Sequence, residues 1–142
     1  MVDDDARHLK LVRLLLASEG YDLVTCGDAE SGLQTLESGV PALILVDVDL
    51  PGIDGLTFTR RVRNDVRTRD VPIVVVSARR DLRDRARALA AGAGLFVSKP
   101  LDLDQFPALV SSIVRPAAEL AEVPTLVPGQ LTRAASSPAR LN

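Results

Sequence analysis

The chain of 142 residues has one cysteine, one histidine and two lysines. A single cysteine, Cys26, can form no internal disulfide. A disulfide-stapled fold is therefore excluded, and the composition fits a reducing, cytoplasmic setting. Cys26 reads as a packing residue in a strand. No apolar run approaches the roughly 20 residues that span a bilayer. Nothing at the start has the pattern of a signal peptide, so no membrane partner is expected. Charge of one sign is also missing: the formal net charge is −2. Without a polybasic field, direct nucleic-acid binding is not expected either. Arginine outnumbers lysine fifteen to two, which makes Lys99 stand out.

What is present is a globular composition, 46% apolar and 25% charged, long enough for one domain with a proper core. Apolar residues recur at helical spacing in five places. These are Leu9 to Leu16, Ala29 to Leu36, Phe58 to Val66, Leu82 to Leu89, and Phe106 to Val114. Between them lie short continuous apolar runs: Asp22 to Cys26, Ala42 to Val46, Pro72 to Val76, and Leu95 to Val97. They are rich in Val, Ile and Leu without polar alternation, as strands buried on both faces should be. Asp28 suits a helix N-cap, while Gly39 and Gly92 stand where helices should stop. Strand–helix alternation at this density predicts an α/β fold with a parallel sheet covered on both sides. From Pro116 the character changes: residues 116–142 carry four prolines and no sustained period. They are expected to be a linker or disordered tail.

Carboxylates crowd the ends of the apolar runs. Asp3, Asp4 and Asp5 follow Met1–Val2, and Asp47 closes the run LILV with Asp49 two residues on. In a parallel α/β sheet, ligands bind outside the carboxyl ends of the strands. If Met1–Val2 is the stub of a first strand, both acidic groups face one crevice. Carboxylates so gathered repel one another unless a cation joins them, and hard oxygen donors suit Mg²⁺. Ser77 ends the run PIVVV, and Lys99 follows LFVS, so both belong in the same crevice. A hydroxyl and an ammonium beside a carboxylate–metal centre are what a transferred phosphoryl group needs, because its oxygens gather charge.

The successive motifs VDDD, LVDVDLPGIDG, VVVSA and FVSKP resemble the receiver domain of two-component response regulators, over about residues 1–115. The resemblance implies a doubly wound, flavodoxin-like sheet of five parallel strands in the order 2-1-3-4-5. It also implies that Asp47 is the phosphoacceptor. Asp3, Asp4, Asp47 and the backbone carbonyl of Asp49 would then hold Mg²⁺ (or Mn²⁺). Ser77 and Lys99 would contact the phosphoryl group, and Ser77 with Phe96 would form the switch, Phe96 turning inward after phosphorylation. Gly52, Asp54 and Gly55 match the turn after the acceptor. Asp49 and Arg79 hold the positions flanking the site entrance, and are expected to pair as a gate. The implied donor is a sensor histidine kinase or a histidine phosphotransfer protein, and the implied output is an unknown partner or a further domain. Arg79, Arg80, Arg83, Arg85 and Arg87 would give the output face a basic rim. His8 is expected on the exposed side of the first helix.

The pattern is departed from in several places. Only Met1 and Val2 precede Asp3, so either the start is clipped or the metal pair hangs on a very short first strand. Pro107 lies inside the expected last helix, which should therefore begin near Asp104. The fifth helix has no charge between Asp104 and Arg115, against the usual charged dimer face of transcription-factor receivers. Two rivals remain. Asp47-Val48-Asp49 resembles the D-x-D nucleophile of haloacid-dehalogenase-type phosphatases, but there the nucleophile stands on the first strand and the second acidic motif follows the lysine. The other rival is a pseudo-receiver that binds partners without phosphorylation.

Overall fold

The computed structural model describes residues 1–122. These form five helices and three strands in the order α1 (Ala6–Ala17), α2 (Ala29–Ser38), β1 (Ile44–Val46), α3 (Gly55–Asn64), β2 (Ile73–Ser77), α4 (Leu82–Ala91), β3 (Leu95–Ser98) and α5 (Phe106–Glu122). Met1–Ala108 forms one compact unit, and a second begins at Leu109 within α5.

The three strands form a parallel sheet in the order β1-β2-β3. Ile44 pairs with Ile73, and Val75 with Phe96. Every residue of β1 and β2 is buried, as their unbroken apolar runs require, whereas in β3 only Phe96 is buried and Ser98 is exposed. Of the five strands expected, only these three are regular among the described residues. Outside them lie two isolated parallel bridges, from Val2 to Cys26 and from Val2 to Val46. The Met1 amino group also donates to the Val24 carbonyl at 2.7 Å. The first segment is bonded on both sides: Val2 N–H donates to Leu45 (2.8 Å), and its carbonyl accepts from Asp47 (3.0 Å). On the other side Cys26 N–H donates to Met1, and Asp3 N–H donates to Cys26.

Aspartates start the helices. Asp5, Asp28, Asp54 and Asp81 cap α1 to α4, each side chain accepting from a backbone N–H of the first turn. Such a cap contributes about 1 kcal/mol. Gly92 ends α4 in the left-handed conformation at φ 116°, where a Cβ would be strained. The core gathers Val2, Leu36, Val46, Phe58, Val62, Ile73, Val75 and Phe96 between sheet and helices. Gly32 lets α2 close on it, since a Cβ there would lie 2.9 Å from Val2 Cγ2.

α5 differs from expectation at both ends. It begins at Phe106 rather than near Asp104, with Pro107 in its first turn, where the missing N–H leaves no helical bond unmade. Asp102 starts it, accepting from the N–H groups of Asp104 and Gln105. At the other end α5 runs past Pro116 to Glu122, beyond the boundary that the prolines suggest. The strongly helix-forming AAELAE that follows Pro116 outweighs one lost bond. The rest of the expected tail, residues 123–142, lies outside the described residues.

Candidate functional site

The hydrogen bonds around Val2 set Asp3 and Asp47 side by side. Each is the first residue past the Val2 bridge on its own strand line, so both carboxylates leave the sheet at one end. Asp3 is fully buried and Asp47 is 6% exposed. Asp4 beside them is exposed. One carboxylate oxygen from each of Asp3, Asp4 and Asp47 lies within 4.8 Å of the other two.

β2 and β3 bring the remaining groups to the same end. Ser77 is the last residue of β2, pairs with Ser98, and is fully buried. Its carbonyl accepts from Lys99 N–H at 2.7 Å, which fixes the point where Lys99 leaves the sheet. Lys99 Nζ then donates to Asp47 Oδ2 at 2.7 Å and to Asp3 Oδ2 at 2.9 Å. The Lys99–Pro100 peptide bond is cis. Asp47 Oδ1 accepts from Asp49 N–H at 3.0 Å, and Ser77 Oγ from Arg79 N–H at 3.1 Å. Gly55 closes the site from below, because a Cβ there would lie 1.9 Å from the Asp47 carbonyl oxygen. Only glycine permits the start of α3 to approach the acceptor strand so closely.

Electrostatics follow this geometry. Burial alone would raise the Asp3 carboxyl, but the Asp5 N–H, Lys99 and His8 outweigh it and hold Asp3 below the ordinary carboxylate value. Burial alone would likewise lower the Lys99 ammonium. Its bonds to Asp47 and Asp3 prevail and hold it above the ordinary lysine value. One half-buried cation thus serves two carboxylates in a cluster that still carries negative charge. Ligands of a cation at about 2.1 Å stand at most about 4.2 Å apart, so three oxygens within 4.8 Å need only a small closure to hold Mg²⁺. The donor set fits that ion: all oxygen, with exposed Asp4 on the solvent side.

The Asp49–Arg79 pair is formed. Arg79 Nη2 donates to Asp49 Oδ1 at 2.8 Å and Nε to the same oxygen at 3.2 Å, while about half of each side chain stays exposed. Arg79 also reaches Asp84 of α4 at 3.6 Å. Arg80 donates to the Lys99 carbonyl at 3.1 Å. Two of the five arginines expected to rim an output face are therefore engaged at the site. Phe96 is 9% exposed and already packs in the core, so an inward turn has little surface left to bury in this conformation.

His8 corrects the sequence reading most clearly. It is not on the exposed side of α1: its Nδ1 lies 2.7 Å from Asp3 Oδ2, and its side chain is 13% exposed. A signal was available. With Asp5 as N-cap, His8 falls in the first turn of α1, and helical side chains lean toward the N-terminus, here toward Asp3.

Comparison with known proteins agrees with this geometry. Residues 1–111 match the family model of the response regulator receiver domain. The response regulator PleD of Caulobacter vibrioides is 35% identical over 115 residues, which are 81% of this chain but 25% of PleD. The chain thus spans about a quarter of that relative. Among solved structures, a CheY-like receiver domain protein of Methanospirillum hungatei superposes with a TM-score of 0.76 at 23% identity, covering 83% of this chain and 93% of the other. The receiver domain of the Pseudomonas aeruginosa sensor histidine kinase PA1611 gives 0.73 at 26% identity over 80% and 93%. That domain carries a magnesium ion coordinated in its active-site cleft. The chain belongs to the response-regulator receiver family, the phosphoacceptor modules of two-component signalling.

Proposed function

We propose that Asp47 accepts a phosphoryl group in a site held by Mg²⁺ (or Mn²⁺). The observation that carries this is Lys99, whose ammonium bridges Asp47 and Asp3 inside a three-carboxylate cluster. Asp3, Asp4, Asp47 and the Asp49 carbonyl would hold the cation. When bound, it neutralises the acidic crevice so that a phosphoryl dianion can approach. The Asp47 carboxylate attacks phosphorus in line, and the bond to the donor nitrogen breaks, leaving the donor imidazole neutral. Lys99 meets the charge on the transferred oxygens, and the Ser77 hydroxyl donates to one of them. The donor is a histidine kinase or histidine phosphotransfer protein in a cytoplasmic setting, and the chain catalyses only this transfer and slow hydrolysis of its own phosphate.

The same reading takes the Val2 and Cys26 bridges as the remnants of two further strands in the order 2-1-3-4-5, because Val2 lies parallel between Cys26 and Val46. Ser77 and Phe96 are the switch, and output goes to a partner or a further domain. Five intact groups around one crevice weigh against a pseudo-receiver. The acidic pair preceding the acceptor in sequence weighs against the phosphatase.

The test is incubation with a small phosphodonor such as acetyl phosphate. A single phosphoryl adduct should form with Mg²⁺, be lost in chelator, and be absent from Asp47→Asn. An undiminished adduct on Asp47→Asn sinks the assignment, and turnover well beyond one equivalent favours the phosphatase.

A further inference from the structure

His8 is the titratable group nearest the acidic cluster that the proposed transfer does not use. It stands in the first turn of α1, with its backbone N–H on the Asp5 cap at 3.3 Å and its ring on Asp3. An ionised carboxylate only accepts, so His8 Nδ1 must carry the proton in this contact. Asp3 then has three donors. Asp5 N–H occupies Oδ1 at 2.9 Å, while His8 and Lys99 share Oδ2 at 2.7 and 2.9 Å. Each carboxylate oxygen has about two lone-pair sites. Oδ2 is therefore filled, and Oδ1 keeps one site free.

Those donors decide where the Asp3 carboxylate points. The χ2 torsion of aspartate is broad, so the plane of its carboxylate is set by its partners and not by the chain. Lys99 cannot set it alone, because the same ammonium is shared with Asp47. The Asp5 N–H holds only one oxygen.

We propose that His8 is a positioning residue for the cation site: its Nδ1–H pins Asp3 Oδ2 and leaves Oδ1 for the metal or a water of its shell. This rests on the receiver reading, which supplies the cation. Groups that orient a metal-ligating carboxylate typically change affinity by about 10- to 100-fold when removed.

The test is calorimetric titration of the full chain with MgCl₂, without phosphodonor, for wild type, His8→Leu and His8→Asn. Leucine keeps the bulk and removes the donor. Asparagine carries an N–H near the place of Nδ1. Expected is Mg²⁺ binding about 10-fold weaker in His8→Leu and largely restored in His8→Asn. Thermal unfolding in chelator should show both variants folded. Binding in His8→Leu as tight as wild type, or His8→Asn falling as far as His8→Leu, overturns the inference while the receiver reading stands. A wild type that takes up no Mg²⁺ overturns both.

Discussion

Lys99 carries an unusual share of the site, since one ammonium neutralises two carboxylates that are almost wholly buried. Removing it should leave Asp3 and Asp47 facing each other without a counter-ion. In chelator, Lys99→Ala is expected to lower stability by about 1–3 kcal/mol. Added Mg²⁺ should then stabilise the variant more than the wild type, because the ion supplies the missing charge. Urea unfolding midpoints with and without Mg²⁺ measure both effects, and midpoints equal to wild type would refute the shared role. Asp3 adds a pH signature. Its folded value lies below its unfolded one, so its contribution is present above the ordinary carboxylate range and disappears as pH falls through the lowered value. In chelator, Asp3→Asn should flatten the loss of melting temperature below about pH 4. An acid limb as steep as that of wild type would show that Asp3 is not a source of it. His8 was misplaced because helical periodicity does not describe a contact across a capped turn, whereas the Asp5 cap and the lean of first-turn side chains point it at Asp3. Asp47 and Ser77 were legible because one follows and the other ends a fully buried run, and Lys99 because it follows the short apolar run of β3.

The elements were legible where hydrophobic runs were long enough to be unambiguous. β1 falls inside its expected run, β2 and β3 each extend one residue past theirs, and Asp28, Gly39 and Gly92 bound helices as expected. The segment from Asp22 to Cys26 was not so legible: only Cys26 joins a bridge, to Val2. The end of α5 was misplaced because Pro116 was weighed without the helix-forming run behind it. At this scale the approach of α3 to β1 makes a sharp prediction. Alanine is favoured over glycine in a helix by up to about 1 kcal/mol. A Cβ at Gly55, however, meets backbone atoms of Asp47 and Val48 that cannot swing away. Gly55→Ala should therefore destabilise by about 1–3 kcal/mol and impair phosphorylation of Asp47. Unfolding midpoints decide it, and a neutral or stabilised variant would show that α3 can retreat. The loop between β2 and α4 makes another. Arg79 closes the mouth on Asp49 and touches Asp84, and an exposed pair is worth only about 0–1 kcal/mol, so its effect should be kinetic. Arg79→Ala is expected to speed loss of phosphate from Asp47 by opening the site to water, with added salt acting more weakly in the same direction. Dephosphorylation that is unchanged or slower rules the gate out.

At the scale of the molecule, a short parallel sheet delivers four separate stretches of chain to one end, and every proposed site residue belongs to the unit Met1–Ala108. The fold's contribution is register: Val46 beside Val75, and Ser77 beside Ser98, so that Asp47, Ser77 and Lys99 emerge together. Among the described residues, no helix is long and apolar enough to cross a membrane. If phosphorylation is read out through the sheet's end, amide shifts on adding a phosphoryl mimic should concentrate between residues 77 and 106. Shifts that spare this stretch would place the output elsewhere. The central claim is chemical, and borohydride trapping tests it most directly. Borohydride reduces an aspartyl phosphate to homoserine, which marks the acceptor in peptide mass spectra. After incubation with phosphodonor and Mg²⁺, the account predicts homoserine at position 47 alone, and none in chelator. Homoserine at another aspartate, or a borohydride-resistant phosphate on Ser77, would contradict it.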